Sequence, residues 1–280
     1  MRLSENIFYR KMYFSFPIRE VPVLREVYAF LIKGKRNIMV DCGVSYNYPD
    51  IVALAAEAEI NLSDIDSIIL THCHSDHTGG LFRLKSENKN IKVFSHIEGK
   101  RFIEDINSQF KERPVPAFYF INGGSVRVDE TFSDDDELDN GYEIKIMHTP
   151  GHSADSISLW LPEKRVLISG DAIPYVNDVP IYEDLAATLN SLGEMRMLRP
   201  FFVLSAFSGP WDISEKGDIF DVTKNYITQV SAAIDSSLKE HPDDSLEEVG
   251  KSVMKKLGFD GPPMPIFLRS IKAHIENNSK

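Results

Sequence analysis

Short apolar runs separated by polar turns recur along most of the chain, and they predict a protein of alternating strands and helices. Residues 27–32 and 37–41 are rich in β-branched and aromatic side chains, and Gly34-Lys35 between them predicts a hairpin. Residues 50–59 carry apolar side chains at helical spacing, and residues 68–70 form a fully apolar run that predicts a buried strand.

The same alternation continues to about residue 204. Strands are predicted at 91–94, 143–148, 156–161, 165–169 and 201–204, and helices at 98–106 and 183–198. This order favours an α/β layer architecture. The last part has only helical patterns, at 218–239, 245–256 and 265–276. The pattern therefore predicts one domain over 1–215 and a C-terminal helical extension over 216–280.

Composition and charge narrow the classes of partner. The 280 residues are 42% hydrophobic, and 42 acidic against 31 basic residues give a formal net charge of −11. Such a chain is unsuited to non-specific nucleic-acid binding, which relies on neutralising phosphates. No apolar run is long enough to span a bilayer, and the polar N-terminus does not resemble a signal peptide. With only Cys42 and Cys73, we expect a cytoplasmic protein.

The densest group of metal-binding side chains lies in the segment 71–80, directly after an apolar strand. Alternate residues of an extended chain point to the same side, so His72 and His74 can reach one metal ion together. Asp76 and His77 lie past a turn and can face a second ion. The Gly-Gly that follows is interpreted as freeing the backbone to turn. Imidazole and carboxylate suit zinc, with iron and manganese as alternatives.

The motif His-x-His-x-Asp-His after a strand resembles the metal site of the metallo-β-lactamase superfamily of metal-dependent hydrolases. The resemblance covers about residues 20–210. It implies an αββα sandwich of the metallo-β-lactamase type, here with a C-terminal helical extension. It also implies that Asp41, in Asp41-Cys42-Gly43, orients the metal loop through hydrogen bonds.

The resemblance supplies two further ligands and a role for the carboxylates. His152, in Thr-Pro-Gly-His, matches the third histidine of the first metal, and Asp171, in Gly-Asp, matches the residue that bridges two metals. The implied metal ligands are His72, His74, Asp76, His77, His152 and Asp171, and the implied catalytic residues are Asp76 and Asp171. One or two zinc ions are therefore expected.

The chain departs from the family where two-metal members carry a last histidine. The expected element falls at residues 205–210, which contain no histidine. Ser208, followed by Gly-Pro, is the best match to the missing ligand, and Phe207 is the alternative. A second ion would then be held more weakly or not at all.

Several residues are candidates for contacts to a substrate. Tyr175 follows Asp171 by four residues and can donate a hydrogen bond, or can pack beside Pro174. Residues 107–124 are predicted to form a loop over the site, with the aromatic residues 118–120 either lining a pocket or packing on the core. His96 and His148 are interpreted as structural.

The resemblance implies hydrolysis of an ester, lactone or thioester by a hydroxide that the metal activates. Two other functions compete with it: an iron-dependent oxidoreductase acting on sulfur compounds or dioxygen, and a binding protein with a decayed site. The intact set of three histidines argues against the decayed site. The expected partner is a small-molecule substrate, with no nucleic acid and no membrane, and a homodimer is allowed.

Overall fold

Two six-stranded β-sheets lie face to face at the centre of the computed structural model, and helices cover the outer face of each. The structure describes residues 1–18, 21–133, 136–176 and 178–278. The predicted αββα sandwich with C-terminal helices is thereby confirmed. Among the helices of these residues, none combines the length and the apolarity that a membrane-spanning segment needs.

The first sheet has the strand order β1-β2-β3-β4-β5-β6. Its strands are β1 (Ile7–Ile18), β2 (Val21–Ile32), β3 (Asn37–Val40), β4 (Ile65–Ile69), β5 (Lys92–His96) and β6 (Glu130–Phe132). Strands β1 to β3 pair antiparallel, and β3 to β6 pair parallel. The pairing of β2 with β3 is the hairpin that Gly34-Lys35 predicts. The carboxyl ends of the parallel strands therefore meet at one edge.

The second sheet has the order β12-β11-β10-β9-β8-β7. Its strands are β7 (Glu137–Asp139), β8 (Glu143–His148), β9 (Ile157–Leu161), β10 (Val166–Gly170), β11 (Phe202–Ser205) and β12 (Gly209–Asp212). Only β10 and β11 pair parallel, across the helix that connects them.

The helices follow the alternation of the sequence. They are α1 (Tyr48–Glu57), α2 (Ser75–Thr78), α3 (Leu81–Glu87), α4 (Ile97–Glu104), α5 (Ile106–Glu112), α6 (Phe118–Ile121), α7 (Leu185–Met197), α8 (Ile213–Lys216), α9 (Ile219–Glu240), α10 (Leu246–Lys256) and α11 (Pro265–Asn278). Short 3-10 turns lie at Ser45–Asn47, Leu62–Asp64 and Pro162–Lys164.

The central core lies between the two sheets. Phe30 and Ile69 of the first sheet share one apolar cluster with Leu159 and Ile168 of the second, and all four are fully buried. Every residue of β9 and β10 is buried, which explains why these strands are mostly apolar and do not alternate in the sequence. Each buried Val, Leu or Ile side chain contributes about 1.5–3 kcal/mol relative to an exposed one.

Two outer clusters attach the helices to the sheets. On the first sheet, Leu54 of α1 and Leu81 of α3 pack with Met39. On the second sheet, Leu192 of α7 and Phe220 of α9 belong to the other cluster, together with Trp160, Leu167 and Ala273 of α11. The C-terminal helices α9 and α11 therefore cover the second sheet as α7 does.

Parts of the sequence prediction differ from the structure. Residues 107–124 are not one loop, because α5 and α6 occupy most of it. The helix predicted over 98–106 ends at Glu104, because the side chain of Asp105 accepts a hydrogen bond of 3.0 Å from the Asn107 amide and starts α5. The edge strand β12 was also missed, since it contains Pro210, which an edge strand tolerates.

Candidate metal centre

The metal loop, which is the segment 71–80, follows β4 at the edge where the parallel strands of the first sheet end. Gly79 and Gly80, which close the loop, have ordinary helical backbone angles, with φ of −61° and −75°. The glycines are therefore not needed for an unusual turn, which corrects the interpretation of Gly-Gly. They are needed for space, because a Cβ on Gly79 would collide with the Ile121 carbonyl and one on Gly80 with the Cys42 carbonyl.

Three imidazole nitrogens from the two sheets converge on one point. His74 Nδ1 lies 2.9 Å from His72 Nε2 and 2.9 Å from His152 Nε2. His72 and His74 come from the loop after β4, and His152 comes from the turn after β8 of the other sheet. All three side chains are at least nine-tenths buried. The predicted three-histidine group is thus brought together from residues 80 positions apart in the sequence.

A second group adjoins the first. His77 Nε2 lies 3.4 Å from Asp171 Oδ1 and 3.8 Å from Asp76 Oδ2. The other oxygen of Asp171, Oδ2, lies 3.4 Å from His152 Nε2 and 3.8 Å from His72 Nε2. Asp171 therefore directs one oxygen towards each group, which is the arrangement that a ligand shared by two metals requires. All six predicted donors meet here.

Hydrogen bonds from outside the two groups hold their rings. Asp41 accepts hydrogen bonds from the Thr71 amide (2.8 Å), the Thr71 hydroxyl (2.7 Å) and His77 Nδ1 (2.8 Å). On the other side, His152 Nδ1 donates to the Ile181 carbonyl at 3.0 Å. These bonds leave the Nε2 atoms of His77 and His152 facing the centre. The predicted role of Asp41 in orienting the metal loop is confirmed.

Burial and nearby carboxylates set the charge of the histidines in opposite ways. Burial lowers the pKa of His72 and His74 well below the usual value and lowers that of His152 as well, so these rings are neutral at pH 7. Burial acts on His77 in the same direction, but neighbouring carboxylates, above all Asp171, outweigh it and raise its pKa well above the usual value. Metal binding at His77 therefore displaces a proton.

Buried atoms that lack a hydrogen-bond partner indicate that these side chains suit a metal ion. Within the described residues of the second group, His77 Nε2 and Asp171 Oδ1 are buried without a hydrogen-bond partner. Buried polar atoms rarely lack a partner, and these two lie 3.4 Å apart. The ligand atoms of His72, His74 and His152 lie within 4.8 Å of one another, as do those of His72, His77 and Asp171. A divalent ion in each group would satisfy this geometry.

The turn between β11 and β12 contains both residues that the sequence offers in place of the last histidine. Ser205 pairs with Gly209, so residues 206–208 form a tight turn. Phe207 lines the cavity above the metal groups, and its ring meets that of His77 edge-on with centroids 6.4 Å apart. Ser208 does not belong to the residues described as lining that cavity. Of the two candidates from the sequence, Phe207 rather than Ser208 lines the cavity beside His77.

A cavity of about 570 Å³ opens directly above the donors. Tyr175 lines it and is half-buried, as its predicted contact with a substrate requires. Of the aromatic residues 118–120, only Phe118 lines the cavity. Tyr119 and Phe120 are 55% and 68% exposed, so they neither line the pocket nor pack on the core.

Two histidines outside the centre have a structural environment, as expected. His96 is buried and stacks on His148, with ring centroids 4.2 Å apart and planes 9° apart. His148 Nε2 also donates to the Ala154 carbonyl at 2.8 Å. Neither belongs to the residues described as lining the cavity.

The sequence analysis missed several polar residues of the cavity wall. Gln109 and Arg113 come from α5 and the segment after it, where only a loop was predicted, and Arg269 comes from α11. Gln109 Nε2 donates to the Cys73 carbonyl within the metal loop. No pattern in the sequence connects the last helix with the metal loop. For α5, the Asp105 cap was a usable signal.

Comparison with known proteins decides the family. Residues 23–206 match the family model described as "Metallo-beta-lactamase superfamily". The chain belongs to this superfamily. The crystal structure of a metallo-beta-lactamase family protein from Thermus thermophilus superposes with a TM-score of 0.70 at 19% identity, covering 96% of this chain and 93% of that one. This superfamily member therefore shares its fold with that protein, C-terminal helices included.

Three relatives of this chain have names that describe different kinds of protein. A beta-lactamase-like protein 2 homolog from Caenorhabditis elegans is 32% identical over 166 residues, covering 59% of this chain and 50% of that protein. An atrochrysone carboxyl ACP thioesterase from Aspergillus fumigatus is 28% identical over 167 residues (59% and 45%). A flavo-diiron protein from Clostridium acetobutylicum is 30% identical over 144 residues (51% and 32%). The chain spans half or less of the length of each.

Proposed function

We propose that this superfamily member is a metal-dependent hydrolase of a carboxylic ester, lactone or thioester whose acyl part is largely apolar. The observation that carries the proposal is that both groups of metal donors open into one cavity of about 570 Å³ lined mainly by apolar side chains. Pockets of this size and character accept small organic molecules. The thioesterase among the relatives supports the same reaction class.

The residues of the centre are assigned as follows. His72, His74 and His152 hold one ion, and Asp76, His77 and Asp171 hold a second, with zinc as the first choice and manganese or iron as alternatives. Such an ion supplies Lewis acidity and lowers the pKa of a water molecule that it binds to about 7. Phe207 offers no donor to the second group, so we expect this ion to be the more weakly bound.

The two carboxylates differ in what they can do. Burial opposes the ionisation of Asp171, but the adjacent His77 lowers its pKa, so this side chain is charged and can accept a hydrogen bond from the attacking water. Burial raises the pKa of Asp76, which makes it the better proton acceptor of the two. Tyr175, on the cavity wall, can donate a hydrogen bond to the substrate.

A substrate panel with added zinc, manganese or iron tests the proposal. We expect esters and lactones with apolar acyl chains to be hydrolysed faster than phosphodiesters or β-lactams, and we expect His152→Ala to abolish this activity. Preferred cleavage of a phosphodiester, or ester hydrolysis that persists in His152→Ala, would overturn it.

The flavo-diiron relative gives the second candidate its only direct support. In this alternative, the centre holds iron and carries out oxidation or reduction of a sulfur compound or dioxygen. Metal analysis of the purified protein separates the two. Zinc or manganese together with ester hydrolysis supports the hydrolase, and iron without hydrolysis supports the oxidoreductase.

We propose a small molecule as the partner, with no nucleic acid or membrane, and a cytoplasmic location with a homodimer allowed. Cys42 and Cys73 are both free and buried, and reduced cysteines are typical of the cytosol. Cell fractionation and the mass of the protein in solution test these two points.

A further inference from the structure

Two arginines that line the cavity share one carboxylate. Arg113 Nη2 lies 2.5 Å from Glu183 Oε1, and Arg269 Nη1 lies 2.7 Å from the same oxygen. Arg269 Nη2 also donates to the Glu112 carbonyl at 2.6 Å. Burial opposes the ionisation of Glu183, but Arg113 and Arg269 lower its pKa, so the carboxylate is charged. One negative charge against two guanidinium groups leaves one positive charge.

Three distant parts of the chain build this cluster beside the metal centre. Arg113 follows α5, Glu183 lies in the segment after the metal-bridging position, and Arg269 belongs to α11. The amide of Glu183 donates to the Gly151 carbonyl at 2.7 Å, next to His152. Both arginines line the cavity that the metal donors line. The positive charge therefore faces the cavity, and the C-terminal helix α11 supplies one of the two arginines.

The remaining charged side chains of the cavity wall, outside the metal donors, are paired one to one. Arg25 meets Asp178 at 2.8 Å, and Glu26 meets Lys11 at 2.9 Å. Among the described residues that line the cavity, only Arg113 and Arg269 carry an excess of positive charge, because the two share the one carboxylate of Glu183. It stands out in a chain with a formal net charge of −11.

We propose that the Arg113–Arg269 pair binds an anionic oxygen group, a carboxylate or a phosphate, on the acyl or leaving part of the substrate. The guanidinium group presents several N–H donors in one plane and recognises such groups with two parallel hydrogen bonds. The proposal rests on the proposed hydrolase. It narrows the substrate to an ester, lactone or thioester with an apolar body and one anionic end.

The test compares three para-nitrophenyl esters that have the same medium-length acyl chain. They differ only at the far end of that chain, which carries a carboxylate, a phosphate or a neutral methyl ester. In the metal-loaded wild type, we expect a KM about tenfold lower for an anionic ester than for the neutral one. The anionic ester with the lower KM identifies the group. A loss of binding alone changes KM and leaves kcat unchanged.

Three variants should differ in how strongly they prefer the anionic ester. Arg269→Gln leaves a neutral Arg113–Glu183 pair, so the preference for the anionic ester should disappear. Glu183→Gln leaves two unopposed arginines and should strengthen the preference, an effect that mere structural damage would not produce. Arg196→Gln, at an arginine paired with Asp218 and outside the described lining of the cavity, should not change it. Thermal unfolding of each variant checks that it is folded.

The outcomes separate this inference from the proposed function. If no ester is hydrolysed with any metal, the proposed hydrolase is wrong, and this inference falls with it. If the esters are hydrolysed with equal KM, or with a preference that survives in Arg269→Gln, the hydrolase stands and the anion site is overturned.

Discussion

Asp41 Oδ2 accepts a hydrogen bond of 2.8 Å from His77 Nδ1, and both side chains have no exposed surface. Asp41 adopts a left-handed backbone conformation, with φ of 58°, that aspartate and asparagine tolerate better than most residues. The same carboxylate accepts two hydrogen bonds from Thr71. One buried group therefore fixes both the start of the metal loop and the ring that closes it.

Asp41→Asn keeps the shape and the backbone preference but removes the charge opposite His77. We expect the affinity for the ion at His77 to fall about 10- to 100-fold, because such outer hydrogen bonds orient metal ligands. Competition with a chelator measures it. Asp66→Asn, at an exposed carboxylate that accepts a hydrogen bond of 2.7 Å from the Asn37 amide, is the control. Equal affinities in both variants would contradict the role of Asp41.

His72→Ala, His74→Ala and His152→Ala should each remove the more tightly bound ion and abolish turnover. The reason is that their nitrogens converge within 4.8 Å, and an ion bound by three imidazoles loses most of its affinity when one is absent. Metal content after gel filtration is the measurement. His241→Ala, at an exposed position, should retain metal and activity. If one of the three variants keeps both metal and activity, the histidine that it replaces is not a ligand.

Phe207→His should raise the occupancy of the second group. Its ring already meets that of His77 with centroids 6.4 Å apart, so an imidazole there adds a donor. Ser208→His is the matched control, since this residue is outside the described lining of the cavity. The measurement is the number of metal ions per chain after identical dialysis of both variants and the wild type against a weak chelator. A larger gain from Ser208→His than from Phe207→His would mean that the turn presents the other side chain inward.

His274 should make the protein less stable as the pH falls below about 6.5. Burial lowers the pKa of His274 to about 4, although Asp235 opposes this, and the ring contacts the Tyr182 hydroxyl and the Ser231 hydroxyl. Since the unfolded chain binds the proton first, this contribution is complete above about pH 6.5 and is lost as the pH falls towards 4. This contribution of His274 to the free energy of unfolding amounts to about 3 kcal/mol.

Urea unfolding between about pH 4 and 7.5 measures this dependence. Other buried histidines titrate too, so the relevant quantity is the difference between the wild type and His274→Gln. We expect the free energy of unfolding of the variant to fall less steeply with decreasing pH. Parallel curves for the two proteins would show that His274 is not protonated on unfolding.

The local sequence was enough for the α/β layer class and for the first donors. Apolar runs with period two and helical runs with period 3.6 follow directly from the geometry of strands and helices, so their order predicts the layers. The donors from His72 to His77 are neighbours in the sequence, whereas His152 and Asp171 were predicted from the resemblance of two short motifs to those of the superfamily. Such information is contained within short segments.

The cavity wall and the turn beside His77 were decided only by the tertiary structure. Arg269 contacts Glu112 across 157 residues, and no spacing rule connects positions so far apart. The choice between Phe207 and Ser208 depends on the register of β11 against β12, where a shift of one residue reverses which side chain faces the site. Patterns along the chain report which face of an element is apolar, whereas the packing of distant elements determines which polar side chains meet there.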